Sequence, residues 1–102
     1  MKFKFCFSIL LSAICLNVSA QQEDYLITGT YTSGKSEGIY VYKFNSSNGT
    51  TTAISKVKIS NPSFLAVSPD EQFVFAVQEN AAAKGKGGEI TAFSFKKKNG
   101  TL

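Results

Sequence analysis

Few side chains in this sequence could do chemistry, and Glu79 is the one whose position invites it. It closes the run Phe73-Val74-Phe75-Ala76-Val77-Gln78 and is followed by Asn80. A carboxylate at a strand end can orient a substrate or take a proton as a general base. The plain alternative is a solvated or turn-capping glutamate. No histidine occurs in the 102 residues, so no imidazole base is available from them. Both cysteines, Cys6 and Cys15, fall in the first twenty residues. The remainder therefore has no thiolate nucleophile, disulfide or thiolate metal site. Asp24, Asp70, Glu71 and Glu89 follow no metal-loop spacing, and no metal or cofactor is expected.

The basic residues are read just as plainly. Lys84-Gly85-Lys86-Gly87-Gly88 lacks the order of a phosphate loop and sits between strands. With no helix N-terminus behind it, a surface loop is the simpler reading. Lys96-Lys97-Lys98 precedes Asn99-Gly100 and reads as a solvated charge run. The sequons at Asn45, Asn48 and Asn99 fall in turns, where Asn is wanted for backbone reasons. The formal charge is +4 and drops to +2 without Lys2 and Lys4. Nucleic-acid binding gains little support from so small an excess.

Residues 1–20 carry the layout of a secretory signal peptide. Lys2 and Lys4 open it, an apolar stretch follows over residues 5–16, and Val18-Ser19-Ala20 ends it as a cleavage site. That stretch is shorter than the ~20 apolar residues of a membrane span. The expectation is an exported protein, periplasmic or extracellular, with no membrane association after cleavage and a mature part at residues 21–102.

The elements that must position Glu79 all read as strands. Residues 25–31 and 39–44 are rich in aromatic and β-branched side chains. Residues 50–60 are more polar, with Lys56 and Lys58, and suit an outer edge. Residues 64–67 and 73–77 are apolar runs joined by Ser68-Pro69-Asp70-Glu71, in which Pro presets φ and Asp can bond its own backbone. The lack of polar alternation in both runs predicts strands covered on both faces. Residues 89–95 give a last strand before a turn at 96–100. No helical period is evident, and the fold class is all-β.

The chain also lies over itself. Residues 39–50 align with 90–101 at an offset of 51, with five of twelve positions identical. Residues 25–28 align with 73–76 at an offset of 48. Such a period, with short antiparallel strands, fits the four-stranded blades of a β-propeller. On that map residues 25–60 hold strands two to four of one blade, and residues 63–102 hold an incomplete second. Fewer than two blades are present where a ring needs roughly four to eight. The expectation is the N-terminal fragment of a longer protein.

Several of these residues together resemble the start of the lactonase family of seven-bladed β-propellers, which includes propeller-type 6-phosphogluconolactonases. They are Gly29-Thr30-Tyr31-Thr32, Gly38-Ile39-Tyr40-Val41-Tyr42, Asn61-Pro62-Ser63-Phe64-Leu65-Ala66-Val67-Ser68-Pro69-Asp70, and the run from Phe73 through Glu79-Asn80. The resemblance implies hydrolysis of a small-molecule sugar lactone, such as 6-phosphogluconolactone or a related cyclic ester. It also implies that the main catalytic residues lie beyond Leu102, as Arg and His in a Gly-Pro-Arg-His-like motif before later inner strands. Asn61-Pro62-Ser63-Phe64 holds the matching place here, and neither Ser63 nor Phe64 can act as a guanidinium or a base. Glu79 is then the one catalytic candidate within the chain, and the fragment alone is expected to be inactive. A leader departs from the cytoplasmic sugar-phosphate enzymes of the family, which leaves the particular lactone open. The alternative reading is a non-catalytic exported propeller that binds a protein or carbohydrate partner.

Overall fold

A computed structural model of the chain describes residues 24–80 and 88–102. The leader read at residues 1–20, and Lys84 to Gly87 of the glycine–lysine stretch, lie outside the described residues. Six strands and no helix are found among the described residues: β1 (Asp24–Thr28), β2 (Gly38–Phe44), β3 (Thr51–Lys58), β4 (Pro62–Val67), β5 (Phe73–Gln78) and β6 (Glu89–Ser94). They form two three-stranded antiparallel sheets, ordered β1-β2-β3 and β4-β5-β6. The polar strand β3 is an edge, as its lysines suggested.

Register decides which side chains meet. Opposed pairs share a face, so Ile27, Val41 and Ser55 lie on one side of the first sheet. Val67, Val74 and Phe93 lie on one side of the second. These two faces are turned toward each other. Tyr25 meets Phe95 edge-on, with centroids 5.3 Å apart and rings at 89°. Ser55 Oγ donates to the Gly100 carbonyl at 2.6 Å, and the Tyr25 hydroxyl donates to the Lys97 carbonyl at 2.8 Å. Ile39 and Val41 on β2, with Val74 and Ala76 on β5, are fully buried and form the core.

The opposite side of the second sheet differs from the sequence expectation. Phe64, Phe73, Phe75 and Ile90 are exposed by 65%, 43%, 39% and 73%. The apolar runs 64–67 and 73–77 are therefore covered on one face only among the described residues. Their second face is apolar in composition, but no described strand lies over it. The first strand is also shorter than residues 25–31 implied. It ends at Thr28, and beyond it the Thr30 hydroxyl donates to the Gly38 carbonyl at 2.7 Å.

The turns follow their local chemistry. In the turn after β2, Gly49 N donates to Asn45 O at 2.8 Å and Asn45 N to Thr50 O at 2.9 Å. The turn after β6 repeats the first of these bonds from Gly100 N to Lys96 O, at 2.8 Å. Gly49 and Gly100 sit at φ 74° and 69°, a region open to glycine at no steric cost. Asn48 and Asn99 each accept a bond from the threonine hydroxyl two residues on, both at 2.7 Å. These asparagines hold turns, in keeping with the backbone reading of the sequons.

Between β4 and β5, Asp70 does what its type suggested. Its Oδ1 accepts from the Ser68 hydroxyl at 2.6 Å and from Gln72 N at 3.1 Å. Those bonds, the serine's first, hold the carboxyl below its ordinary pKa. A depressed folded-state pKa adds stability above the ordinary aspartate range, and that stability is lost as pH falls through the folded value. The expected result is a D70N variant less stable than the parent near neutrality, the gap closing in acid. Melting curves of both proteins between pH 7 and pH 2 check this, and a gap that holds constant across the range refutes it.

Candidate functional site

Opposite the polar turns that follow β2, β4 and β6, the loops around Glu79 open together at one end of the two sheets. That end is formed by residues 29–37 after β1, residues 59–61 between β3 and β4, and Glu79-Asn80 after β5. Asn61 is its hub. It adopts φ 44°, a left-handed conformation that asparagine tolerates better than most residues. Its Oδ1 accepts from Thr32 N at 2.8 Å and from the Thr32 hydroxyl at 3.1 Å. Its carbonyl accepts from Ser63 N at 2.8 Å and Glu79 N at 3.0 Å. Its Nδ2 donates to Asn80 Oδ1 at 3.2 Å, which also accepts from the Ser60 hydroxyl at 2.8 Å. Thus one side chain and one carbonyl tie the first sheet's loop to the start of β4 and the end of β5.

Beneath this hub, Gln78 is buried to 8% exposure. Its Nε2 donates to the Ser60 carbonyl at 3.2 Å, and its Oε1 accepts from the Thr91 hydroxyl at 2.8 Å. A buried amide with both ends satisfied is a rigid support and not a cost. Glu79, the next residue, is exposed on that supported strand end. Its Oε2 accepts from the Tyr31 hydroxyl at 2.6 Å. That bond, and next the carboxylate's charge, raise the Tyr31 hydroxyl above its ordinary pKa. The phenol therefore stays protonated and donates. Ser63 opposes part of that rise, although its buried Oγ lies outside hydrogen-bonding geometry with any described group.

Glu79 is thus where the sequence reading sought a functional carboxylate, at a strand end among polar loops. Ser63 and Phe64 stand beside it without basic chemistry, and Phe64 points its ring to solvent. Sequence reasoning gave Tyr31 no role: it read as a strand residue and as part of the family-like Gly29-Thr30-Tyr31-Thr32. One signal was present: the offset of 48 that aligns residues 25–28 with 73–76 also places Tyr31 over Glu79. Among the described residues no group of three His, Cys, Asp or Glu side chains converges on a metal position. At the opposite end of the sheets, a cleft of about 330 Å³ is lined by Tyr25, Ile27, Val67, Phe95 and the Lys97–Glu71 ion pair.

Two antiparallel sheets of short strands stacked face to face are neighbouring blades of a β-propeller. The chain belongs to the lactonase family: the model of the family "Lactonase, 7-bladed beta-propeller" matches residues 25–102. Solved structures agree. A candidate 6-phosphogluconolactonase of Bacteroides fragilis is 40% identical, with a TM-score of 0.72 over 78% of this chain and 22% of that one. A second, from Bacteroides uniformis, is 36% identical, with a TM-score of 0.73 over 79% of this chain and 23% of that one. The periplasmic gluconolactonase of Pseudomonas aeruginosa is 40% identical, with a TM-score of 0.63 over 71% of this chain and 21% of that one. The chain therefore spans just over a fifth of the length of each. A search of curated proteins finds no significant match.

Proposed function

We propose that this chain is the N-terminal part of an exported propeller lactonase that hydrolyses a sugar lactone. Glu79, held by Tyr31 at the polar end of two adjoining blades, is the observation that carries the reading. In this mechanism Glu79 accepts a proton from a water molecule as the water oxygen bonds to the ring carbonyl carbon. The acyl carbon–oxygen bond of the ring then breaks, the ring oxygen takes a proton, and an open hydroxy acid leaves. Charge on the carbonyl oxygen needs donors from elsewhere in the ring. Family membership supports the activity. The leader at residues 1–20 and the periplasmic gluconolactonase among the similar structures support export.

The test uses the full-length reading frame, purified after export. Glucono-δ-lactone and its 6-phosphate are each followed by titration of released acid against a heat-treated control. Hydrolysis of either at least about tenfold above control is the expected result. No excess on either substrate would overturn the enzyme reading and favour the binding module.

A further inference from the structure

We propose that Tyr31 is a positioning residue for Glu79, fixing one carboxylate oxygen so that the other is presented to substrate. This rests on the lactonase reading above and deepens it. Tyr31 lies in the loop after β1 of the first sheet, while Glu79 directly follows β5 of the second. Their 2.6 Å bond therefore crosses from blade to blade. Tyr31 as a residue is 60% exposed, so burial of its surface does not account for its place there. Its hydroxyl is aimed at the carboxylate.

The bond takes Oε2 and leaves Oε1 with no hydrogen bond from a described group. A glutamate at an exposed strand end otherwise samples several rotamers, and a base that wanders by about 1 Å can lose about 100-fold in rate. Tyr31 removes that freedom from a rigid origin. Its own loop is pinned one residue later, where Thr32 N and the Thr32 hydroxyl both bond Asn61 Oδ1. Asn61 in turn holds the Glu79 amide through its carbonyl at 3.0 Å. Backbone and side chain of Glu79 are thus held by the same pair of loops.

The experiment is a double-mutant cycle in the full-length protein with Y31F, E79Q and the pair, using glucono-δ-lactone. Y31F is expected to lower kcat by about 10- to 100-fold with KM changed less than about threefold. In the E79Q background the same change should do nothing further, because residues acting as a unit are not additive. An ultraviolet phenolate titration accompanies it. One tyrosine should ionise above the ordinary range in the parent protein and return toward that range in E79Q.

Identical titrations in parent and E79Q would mean that the pair does not form in solution, and would overturn the proposal independently of any rate. Additive losses would also overturn it, since Tyr31 would then act without Glu79. An active Y31F protein with parental kcat removes the positioning role but leaves the lactonase standing. An inactive parent is seen before any variant is made, and it removes both.

Discussion

Glu79→Gln in the full-length protein is expected to lower kcat by about 100- to 10,000-fold, the usual range for loss of a general base. The substitution keeps the shape of the side chain, and the amide oxygen can still accept from Tyr31. What is removed is the negative charge, and with it the capacity to take a proton. Glu79 is exposed and, among the described residues, its side chain hydrogen-bonds Tyr31 alone, so the fold has little to lose. The melting temperature should stay within about 2 °C of the parent, in line with surface changes that cost under about 0.5 kcal/mol. A steady-state rate assay paired with a thermal melt checks both halves. Parental kcat in E79Q would place the base on another blade and reduce Glu79 to its plain reading as a solvated strand end. A collapsed melting temperature would point to a structural carboxylate.

The second large effect concerns packing between the sheets. Gly29 follows β1 where the first sheet crosses the start of β4. A Cβ built on it would lie 2.0 Å from the Pro62 carbonyl oxygen, 3.2 Å from the Pro62 carbonyl carbon and 3.3 Å from Leu65 Cγ. The first obstacle is backbone and cannot rotate aside. Pro62 is itself buried, so relief requires the two sheets to part or β4 to shift. Gly29→Ala should therefore cost about 3 kcal/mol, the upper end for overpacking. It should lower the unfolding midpoint by several degrees. Gly34 supplies the control, since its added Cβ meets nothing within 4 Å. Gly34→Ala should stay within about 0.5 kcal/mol of the parent. Denaturant unfolding of the two variants side by side decides the matter. Equal midpoints would mean that the close crossing at Pro62 is not maintained in solution.

Both effects depend on how two sheets meet, and this is where sequence reading was weakest. Residues 39–44 and 73–77 read as strands because β-branched and aromatic side chains suit a pleated surface, and β2 and β5 contain them. Asp70 read as a turn residue because its side chain is short enough to bond its own backbone, and it does. Lys56 and Lys58 marked β3 as an edge for a similarly local reason. By contrast, residues 29–31 have strand-like composition, yet the strand stops at Thr28. Beyond it Gly29 lies against the carbonyl of Pro62, 33 positions further along the chain. Coverage of Phe64, Phe73 and Phe75 was likewise a matter of neighbours, which composition cannot count.

For the proposed site, Glu79 could be singled out because a lone carboxylate follows an apolar run. A catalytic role could not be read there, since a solvated glutamate has the same sequence. By itself the chain determined that this protein is all-β, lacks a histidine base within these residues, and resembles a lactonase propeller. Those follow from side-chain type and short-range spacing. Only the tertiary structure decided that Tyr31 reaches Glu79, that Asn61 ties both their loops together, and that Gly29 must have no side chain. Each depends on atoms within about 3 Å of one another that belong to different sheets. Directional bonds and close contacts of that kind are set by how the sheets stack, not by any local preference of the chain.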